Sequence, residues 1–324
     1  MKNIEVILWP SHFPAVEYSF EENKLSSEKL ELGRALFYDP LLSADQTISC
    51  ASCHSPYNAF AHTDHDLSHG IRDQIGTRNA PPLFNLAWHK DFMWDGAIHH
   101  LDLQALAPIE DHIEMAMPFD SLVGILQGSS LYTELFQKAY GDSLVTGERF
   151  LKAMAQFQLS LVSAAAKYDR VLIGQEKFTD QESAGYELFK NHCSSCHSEP
   201  LFTSGVYANN GLAVDESLND VGRMKVTQLS SDSLSFKIPS LRNLEFTYPY
   251  MHDGRFRYLS EVINHYTEEL KGNEYVDARL KGGILLNEKE KVDLLAFLLT
   301  LSDRDFVFNP KHQFPREILL NQRK

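Results

Sequence analysis

Cysteine is scarce in this sequence, with only four in 324 residues. All four fall in two copies of one short pattern, Cys50-Ala51-Ser52-Cys53-His54 and Cys193-Ser194-Ser195-Cys196-His197. No cysteine is therefore left for a disulfide framework, for a separate thiol nucleophile or for a cysteine-rich zinc site.

Basic residues and long apolar runs are scarce too. There are 30 Lys and Arg against 44 Asp and Glu, a formal net charge of -14, which argues against nucleic acid as a partner. No apolar run approaches the length of a membrane span, so we do not expect the chain to cross a bilayer. The stretch Met1–Pro10 begins like a secretory signal, but its apolar run is too short, so we expect a signal or anchor to be missing from this sequence.

The repeated pattern C-x-x-C-H is the attachment signature of c-type haem. Its two thiols bond to the vinyl groups of the porphyrin, and its histidine supplies a proximal nitrogen to the iron. A redox dithiol does not require the histidine, and zinc would need two further ligands beside each copy. Because bacteria attach c-type haem outside the cytoplasmic membrane, the pattern also predicts a periplasmic protein. We predict two covalently bound haem c groups, attached at Cys50, Cys53, Cys193 and Cys196 and ligated by His54 and His197.

The distance between the two motifs favours one haem in each of two domains. Helical signals dominate, because Ser26 or Ser27 is placed to cap a first helix and two later segments have the form of capping boxes. These segments are Thr179-Asp180-Gln181-Glu182 and Asn287 with Glu290.

A domain boundary is expected near residues 165–175, where a long helix with an apolar face from Phe150 to Val162 is expected to end. Beyond it, the stretch from Glu199 to Pro239 is rich in Gly, Asn, Asp and Ser. This composition predicts a long loop, functional or mobile, which either wraps the edge of the second haem or forms part of the interface.

Six further motifs resemble those of the bacterial diheme cytochrome c peroxidase and MauG superfamily. The resemblance runs from about Leu32 to about Leu301 and depends on the order of the motifs, because any one alone would be weak. The motifs are Leu32-Gly33-Arg34-Ala35-Leu36-Phe37, Arg78-Asn79-Ala80-Pro81, Phe92-Met93-Trp94-Asp95-Gly96, the segment from Gln104 to Glu114, Leu241-Arg242-Asn243 and Pro249-Tyr250-Met251-His252-Asp253-Gly254.

The resemblance implies a mainly α-helical protein, in which two cytochrome c-like domains pack around a calcium site between the haems. Residues 1–24 are then expected to form an N-terminal extension. Residues 25–168 would hold the haem that reacts with peroxide, and residues 169–324 the haem that transfers electrons. Homodimers are common among conventional members of the family, although this sequence carries no decisive dimer signal.

In this family a glutamine, a glutamate and a proline lie over the peroxide haem, and Gln104, Glu114 and Pro108 match them. Cleavage of the O–O bond needs a group that moves a proton between the two oxygens, and polar partners for the charge that develops. Glu114 is therefore the candidate acid/base. Without the motif it would be interpreted as an ordinary carboxylate on a surface helix.

His69 is harder to interpret. Conventional members have a loop histidine in this region that ligates the oxidised peroxide haem and leaves when the other haem is reduced, whereas MauG-type members lack it. The spacing from His69 to Asn79 is about two residues longer than expected for that ligand. This favours an ordinary loop or surface histidine over a haem ligand, with His62 and His65 as weaker alternatives.

Tyr266 occupies the position where conventional peroxidases have the methionine ligand of the electron-transfer haem. MauG-type proteins also have a tyrosine there. A thioether favours ferrous iron, whereas an oxygen anion stabilises ferric and higher states. Met251 and His265 are the alternative ligands, but His265 and Tyr266 cannot both face one iron, because adjacent helical residues point about 100° apart.

Trp94 matches a family tryptophan between the haems and is a candidate electron relay, although a buried structural tryptophan would fit the same sequence. The resemblance also implies one calcium ion. Its ligands would be the side chain of Asn79 and the backbone carbonyls of Thr247 and Pro249, and such oxygen ligands suit calcium.

Three functions are open on the sequence alone. The first is reduction of hydrogen peroxide to water, with electrons from a small cytochrome c or cupredoxin relayed from the C-terminal to the N-terminal haem. The second is a MauG-like, peroxide-dependent oxidation of residues on a partner protein through a high-valent diheme state, which Tyr266 favours. The third is a diheme electron carrier without catalysis. Gln104 and Glu114 argue against it, because a carrier needs no distal acid/base.

Overall fold

Two pairs of crossed helices organise the chain in the computed structural model, which describes residues 7–267, 270 and 273–320. Helix α1 (Ser27–Tyr38) packs against α7 (Gly147–Leu159), and α9 (Asp180–His192) packs against α12 (Glu288–Leu299). The helix α9 leads directly into the second C-x-x-C-H motif, and α1 precedes the first. Each haem motif thus has its own helix pair.

Each crossing depends on a glycine. A Cβ atom on Gly33 would overlap the backbone carbonyl oxygen of Ala153 on α7, and one on Gly185 would overlap that of Asp293 on α12. Only glycine lets the two backbones approach this closely.

The remaining elements are shorter than these four helices. Two two-residue strands, β1 (Tyr207–Ala208) and β2 (Phe236–Lys237), pair antiparallel inside the long loop predicted from Glu199 to Pro239. The prediction of a mainly α-helical protein is confirmed. Among the described residues, no helix is both long enough and apolar enough to cross a membrane. The other α-helices are α2 (Cys50–Cys53), α3 (Leu101–Gln104), α4 (Leu106–Glu110), α5 (Phe119–Gln127), α6 (Ser130–Tyr140), α8 (Lys167–Leu172), α10 (Met224–Thr227), α11 (Leu259–Thr267), α13 (Arg304–Val307) and α14 (Arg316–Leu319), and the 3-10 turns are Pro40–Leu42, Pro56–Asn58, Ile71–Asp73, Leu86–Trp88, Ser230–Asp232, Ala278–Leu280 and Pro310–His312.

The predicted helix starts are confirmed. The Ser26 hydroxyl accepts a hydrogen bond from the backbone N–H of Lys29 at 3.1 Å and so caps α1. Both predicted capping boxes form, with Thr179 beginning α9 and Asn287 beginning α12. Each box satisfies backbone N–H groups that a helix leaves unpaired in its first turn.

The long helix expected to end near residues 165–175 ends earlier, at Leu159. Beyond Leu159 the chain bonds to a carboxylate that is distant in the sequence. The Ser163 hydroxyl and the Ala165 backbone N–H both donate to the side chain of Asp303, at 3.0 and 2.9 Å. These long-range bonds compete with continuation of the helix. The buried hydrophobic residues form two clusters, and the chain passes from one to the other in this segment. Leu161 belongs to the first cluster and Tyr168 to the second.

The last part of the chain returns to the first cluster. Phe306, Val307 and Leu319 are buried among residues of the N-terminal half, where the Phe306 ring packs 6.0 Å from that of Phe60. The core that supports the first haem motif therefore includes side chains from both ends of the chain.

Candidate active site and haem cavities

The first C-x-x-C-H motif forms a single helical turn, α2. The backbone N–H of His54 donates to the carbonyl of Cys50 at 2.9 Å, which closes the turn. Residues three apart in a helix lie on one face, so Cys50 and Cys53 present their thiols on the same side. Both cysteines and His54 line one cavity.

The ring of His54 is held in the orientation that a metal ligand needs. Its Nδ1 lies 2.8 Å from the carbonyl oxygen of Phe60, which a tight turn with left-handed residues Ala59 (φ 50°) and Phe60 (φ 61°) brings back over the ring. Burial lowers the pKa of His54 to about 4, so the imidazole is neutral at neutral pH. With Nδ1 donating to the carbonyl, the lone pair of Nε2 is free to bind iron.

Gln104, Pro108 and Glu114 line the same cavity as His54, as the family resemblance implies. Burial, with a smaller contribution from the nearby charge of Asp111, raises the pKa of Glu114 to about 7. A carboxyl group with a pKa near neutrality can both accept and donate a proton at physiological pH.

His69 lies on a loop, as expected, but it also lines this first cavity, where its backbone carbonyl oxygen lies 3.4 Å from the Cys53 sulfur. Its ring stacks on that of His65 at 4.1 Å, and the ring of His65 stacks on that of His62 at 5.6 Å. The interpretation as an ordinary surface histidine did not foresee this position. Ligation of iron by His69 remains a prediction.

The second motif lines a larger cavity, whose wall includes Cys193, Cys196 and His197. The backbone N–H of His197 donates to the carbonyl of Cys193 at 2.9 Å, which repeats the turn of the first motif. Nδ1 of His197 lies 3.2 Å from the carbonyl oxygen of Phe202 and 3.1 Å from that of Pro239. Burial lowers the pKa of His197 to about 4, so this imidazole too is neutral and its Nε2 is available.

Tyr266 reaches the second cavity from α11. The Glu261 carboxylate accepts the backbone N–H groups of Arg257 and Tyr258, both at 2.8 Å, and so caps the start of this helix. One face of α11 then lines the cavity with Leu259, Val262, Ile263, Tyr266 and Thr267.

The alternatives to Tyr266 separate in the structure. His265 is not among the residues lining the cavity, and its Nε2 lies 3.0 Å from the backbone carbonyl oxygen of Asn210. Met251 does line the cavity. Tyr266 and Met251 are therefore the two candidate ligands that face this space.

Asn210 is a site residue that the sequence analysis missed. Its side-chain amide donates to the Tyr266 hydroxyl at 3.5 Å and lies 3.4 Å from the Met251 sulfur, so it contacts both candidate ligands. Burial raises the pKa of Tyr266 to about 12, while this hydrogen bond acts in the opposite direction. Its position in a Gly- and Asn-rich loop gave no local signal of this role.

The segment Met93-Trp94 connects the two cavities. The Met93 sulfur lies 3.9 Å from the side-chain nitrogen of Gln104 in the first cavity, whereas Trp94 lines the second. The indole N–H of Trp94 donates to the backbone carbonyl of Asn79 at 2.9 Å. Trp94 thus occupies a position suited to a relay between the cavities.

The three residues implied as calcium ligands, Asn79, Thr247 and Pro249, all line the second cavity. The side-chain nitrogen of Asn79 donates to the backbone carbonyl of Asp66 at 2.9 Å. In the part of the chain that the structure describes, no group of three or more His, Cys, Asp or Glu side chains is arranged to hold a metal ion. A calcium site here would depend on amide and backbone oxygens.

Lys237 is a second residue that the sequence analysis missed. It lines the second cavity. Its ammonium group donates to the backbone carbonyl of Asp91 at 2.9 Å, and its backbone N–H donates to the backbone carbonyl of Trp94 at 2.7 Å. Burial lowers its pKa to about 8. The nearby carboxylates of Asp91 and Asp95 act in the opposite direction and favour the charged form.

The cavities fit haem better than the alternatives for the two motifs. Burial raises the pKa of Cys50 to about 12 and that of Cys53 to about 11, so these thiols lack the lowered pKa of a reactive dithiol. Cys193 behaves in the same way, with a pKa raised to about 12 by burial. Each cavity instead combines two protonated thiols with a correctly oriented neutral imidazole.

Comparison with known proteins gives a consistent result. A family model described as di-haem cytochrome c peroxidase matches residues 27–177. Over 86% of this chain and 79% of the relative, the sequence is 37% identical to the methylamine utilization protein MauG of Methylorubrum extorquens. It is 36% identical to the cytochrome c551 peroxidase of Nitrosomonas europaea, over 86% of this chain and 80% of that protein.

Among solved structures, a MauG-like protein associated with microbial copper homeostasis superposes with a TM-score of 0.86 and 29% identity. The superposition covers 95% of this chain and 98% of the other. The similar proteins thus bear both names, peroxidase and MauG.

Proposed function

The chain belongs to the family of di-haem cytochrome c peroxidases and MauG proteins, and we propose that it reduces hydrogen peroxide to water at the first cavity with electrons relayed from the second. One observation carries this proposal. Glu114, with a pKa raised to about 7, lines the same cavity as Cys50, Cys53 and His54. An electron carrier has no use for a buried acid/base at this position.

The cofactors in this proposal are two covalent haem c groups. Cys50 and Cys53 hold one with His54 as its proximal ligand, and the second motif holds the other with Tyr266 as its sixth ligand. A haem in the first cavity would supply the iron at which peroxide binds and is reduced.

The side chains of the first cavity move protons and stabilise charge. Glu114 takes the proton from one oxygen of peroxide and returns it to the other, which leaves as water. The side-chain N–H of Gln104 stabilises the negative charge that develops on oxygen, while Pro108 packs over the cavity. Two electrons and two further protons complete the reduction of one peroxide to two waters.

The rate of reaction with peroxide is expected to depend on pH. Only the ionised Glu114 can accept the peroxide proton, and its pKa is raised to about 7. The logarithm of the rate constant should therefore rise by about one unit per pH unit below neutrality and level off above it. Stopped-flow absorbance across this range measures the profile, and a flat profile would contradict the assignment of Glu114.

Electron transfer between the cavities is assigned to Trp94. Trp94→Phe is expected to slow steady-state peroxide turnover roughly tenfold while leaving the first reaction with peroxide unchanged, because that reaction needs no relay. Trp88→Phe is the matched control, since Trp88 is buried in the first core cluster and donates to the Pro14 carbonyl at 2.8 Å, away from both cavities. Equal slowing by both substitutions would contradict the relay.

A second candidate function is the peroxide-dependent oxidation of residues on a partner protein. It is favoured by Tyr266, which faces the second cavity where a conventional peroxidase would have methionine. The MauG proteins among the relatives also support this second function.

For the first function, the electron donor would be a small cytochrome c or a cupredoxin.

Two further parts of the proposal concern the ion and the compartment. A calcium ion between the haems would be held by the Asn79 side chain and the carbonyls of Thr247 and Pro249. Their common position on the wall of the second cavity supports it. Covalent haem attachment supports a periplasmic location.

A further inference from the structure

We propose that Gln158 is a positioning residue of the peroxide cavity, which holds the amide of Gln104 with one N–H group turned toward the reacting oxygens. The inference rests on the proposed function and assigns a role to a residue that no sequence motif marks. In the sequence, Gln158 belongs to the apolar stripe of α7, between Phe157 and Leu159.

Gln158 is buried at the wall of the first cavity. Its side chain is 2% exposed, and it lines the cavity together with Gln104, Glu114 and His54. The Nε2 of Gln158 donates a hydrogen bond to the Oε1 of Gln104 at 2.8 Å. The two amides are therefore directly coupled, although 54 positions separate them in the sequence.

Met93 defines the direction of this amide pair. Its thioether sulfur, 3.9 Å from the Nε2 of Gln104, can only accept a hydrogen bond. The nitrogen of Gln104 therefore faces Met93, and its oxygen faces the donor on Gln158. Held from both sides, Gln104 retains an N–H group for the charge that develops on peroxide.

The side-chain oxygen of Gln158 has no hydrogen-bond partner among the described residues. Its Oε1 is buried and makes no hydrogen bond within the part of the chain that the structure describes. Buried polar atoms of this kind are rare and call for an explanation. Because Gln158 lines the cavity, this oxygen is placed to accept a hydrogen bond from an O–H group there, either hydrogen peroxide or the water formed from it.

Gln156, on the same helix, provides the contrast. It is fully buried, and its Nε2 lies within hydrogen-bond distance of three oxygens: the side-chain oxygen of Asn23 at 2.9 Å and the backbone carbonyls of Asn23 and Lys24, both at 3.0 Å. It does not line the first cavity. Gln156 thus ties the N-terminal segment to α7, whereas Gln158 serves the cavity.

The test compares Gln158→Met and Gln158→Glu with the control Gln156→Met, all as proteins loaded with haem. Gln158→Met should lower the rate constant with peroxide and the affinity for cyanide by about tenfold each, because Gln104 is no longer held as a donor. Gln156→Met should lower the melting temperature and leave both values unchanged.

Gln158→Glu supplies a readout that a purely structural role would not move. The carboxyl group that this substitution introduces can, when protonated, donate to Gln104 as the native amide does. Its ionised form can only accept, and it turns the N–H of Gln104 away from the reacting oxygens. The rate of this variant relative to the unsubstituted protein should therefore fall as pH rises.

Two results would overturn the proposal. One is that both Gln158 variants keep the cyanide affinity and the peroxide rate of the unsubstituted protein. The other is a loss in Gln158→Glu that is the same at every pH and is matched by Gln156→Met. If the unsubstituted protein does not react with peroxide, the proposed function fails, and cyanide affinity still decides the role of Gln158.

Discussion

Glu114→Gln is expected to lower the rate constant for reaction with hydrogen peroxide by about 10²–10⁴-fold. The amide keeps the size of the side chain but can neither accept the peroxide proton nor return it. The physical basis is burial, which raises the pKa of Glu114 to about 7 in the cavity that it lines together with Cys50, Cys53 and His54. Stopped-flow absorbance at the first haem measures the change.

Glu110→Gln is the matched control for this prediction. Glu110 is an exposed carboxylate four residues earlier, and its side chain accepts the backbone N–H of Phe119 at 3.4 Å. Its replacement should leave the peroxide rate unchanged. A rate for Glu114→Gln comparable with that of the control would contradict the acid/base role of Glu114.

Tyr266→Met is expected to raise the reduction potential of the second haem, by on the order of 0.1 V or more within the span of about 0.8 V that axial ligands control. Methionine sulfur favours ferrous iron, whereas the tyrosine oxygen stabilises the ferric form. The tyrosine lines the second cavity on the face of α11 that points into it. A spectroelectrochemical titration of both haems measures the shift.

Met251→Leu distinguishes the two side chains that face this cavity. If Tyr266 is the ligand, Met251→Leu should leave the potential nearly unchanged. The assignment fails if Tyr266→Met has no effect while Met251→Leu shifts the potential. Tyr250→Phe serves as a further control, because Tyr250 lines the same cavity and its hydroxyl donates to the Leu244 carbonyl at 2.8 Å.

Local patterns predicted much of this molecule. The capping boxes at Thr179 and Asn287 specify helix starts within a few residues of sequence, and both form. The geometry of each C-x-x-C-H motif is likewise local, because one helical turn places both thiols on the same face. The ordered motifs also placed Gln104 and Glu114 in one cavity with the first haem signature.

Residues whose role depends on distant contacts were not predictable in this way. Gln158 meets Gln104 across 54 positions, and Asn210 meets Tyr266 across 56. Lys237 is an ordinary lysine in the sequence, and only the folded chain places it at the wall of the second cavity. In each case the sequence shows a common residue type in an unremarkable setting, and only packing gives it a chemical environment.

The same applies to two motifs whose explanation is structural. Arg242, fully buried, forms a two-pronged ion pair with Asp169 at 2.7 and 2.8 Å, which fixes the segment after the long loop to α8. Arg78 bridges Asp95 and Asp220 at 2.7 and 2.6 Å and so anchors that loop to the first half of the chain. The order of the motifs identified the family, but not these roles.

The most direct test of the account is the absorbance change when one equivalent of hydrogen peroxide is mixed with the protein carrying both haems. It should be recorded in the all-ferric state and again after reduction by one electron. A rapid change is expected at the first haem in at least one state, and Glu114→Gln should lose this change. A change already in the all-ferric state would favour oxidation of a partner protein, and a change only after reduction would favour a conventional peroxidase. No change in either state would contradict the proposal that the first cavity is a peroxide site.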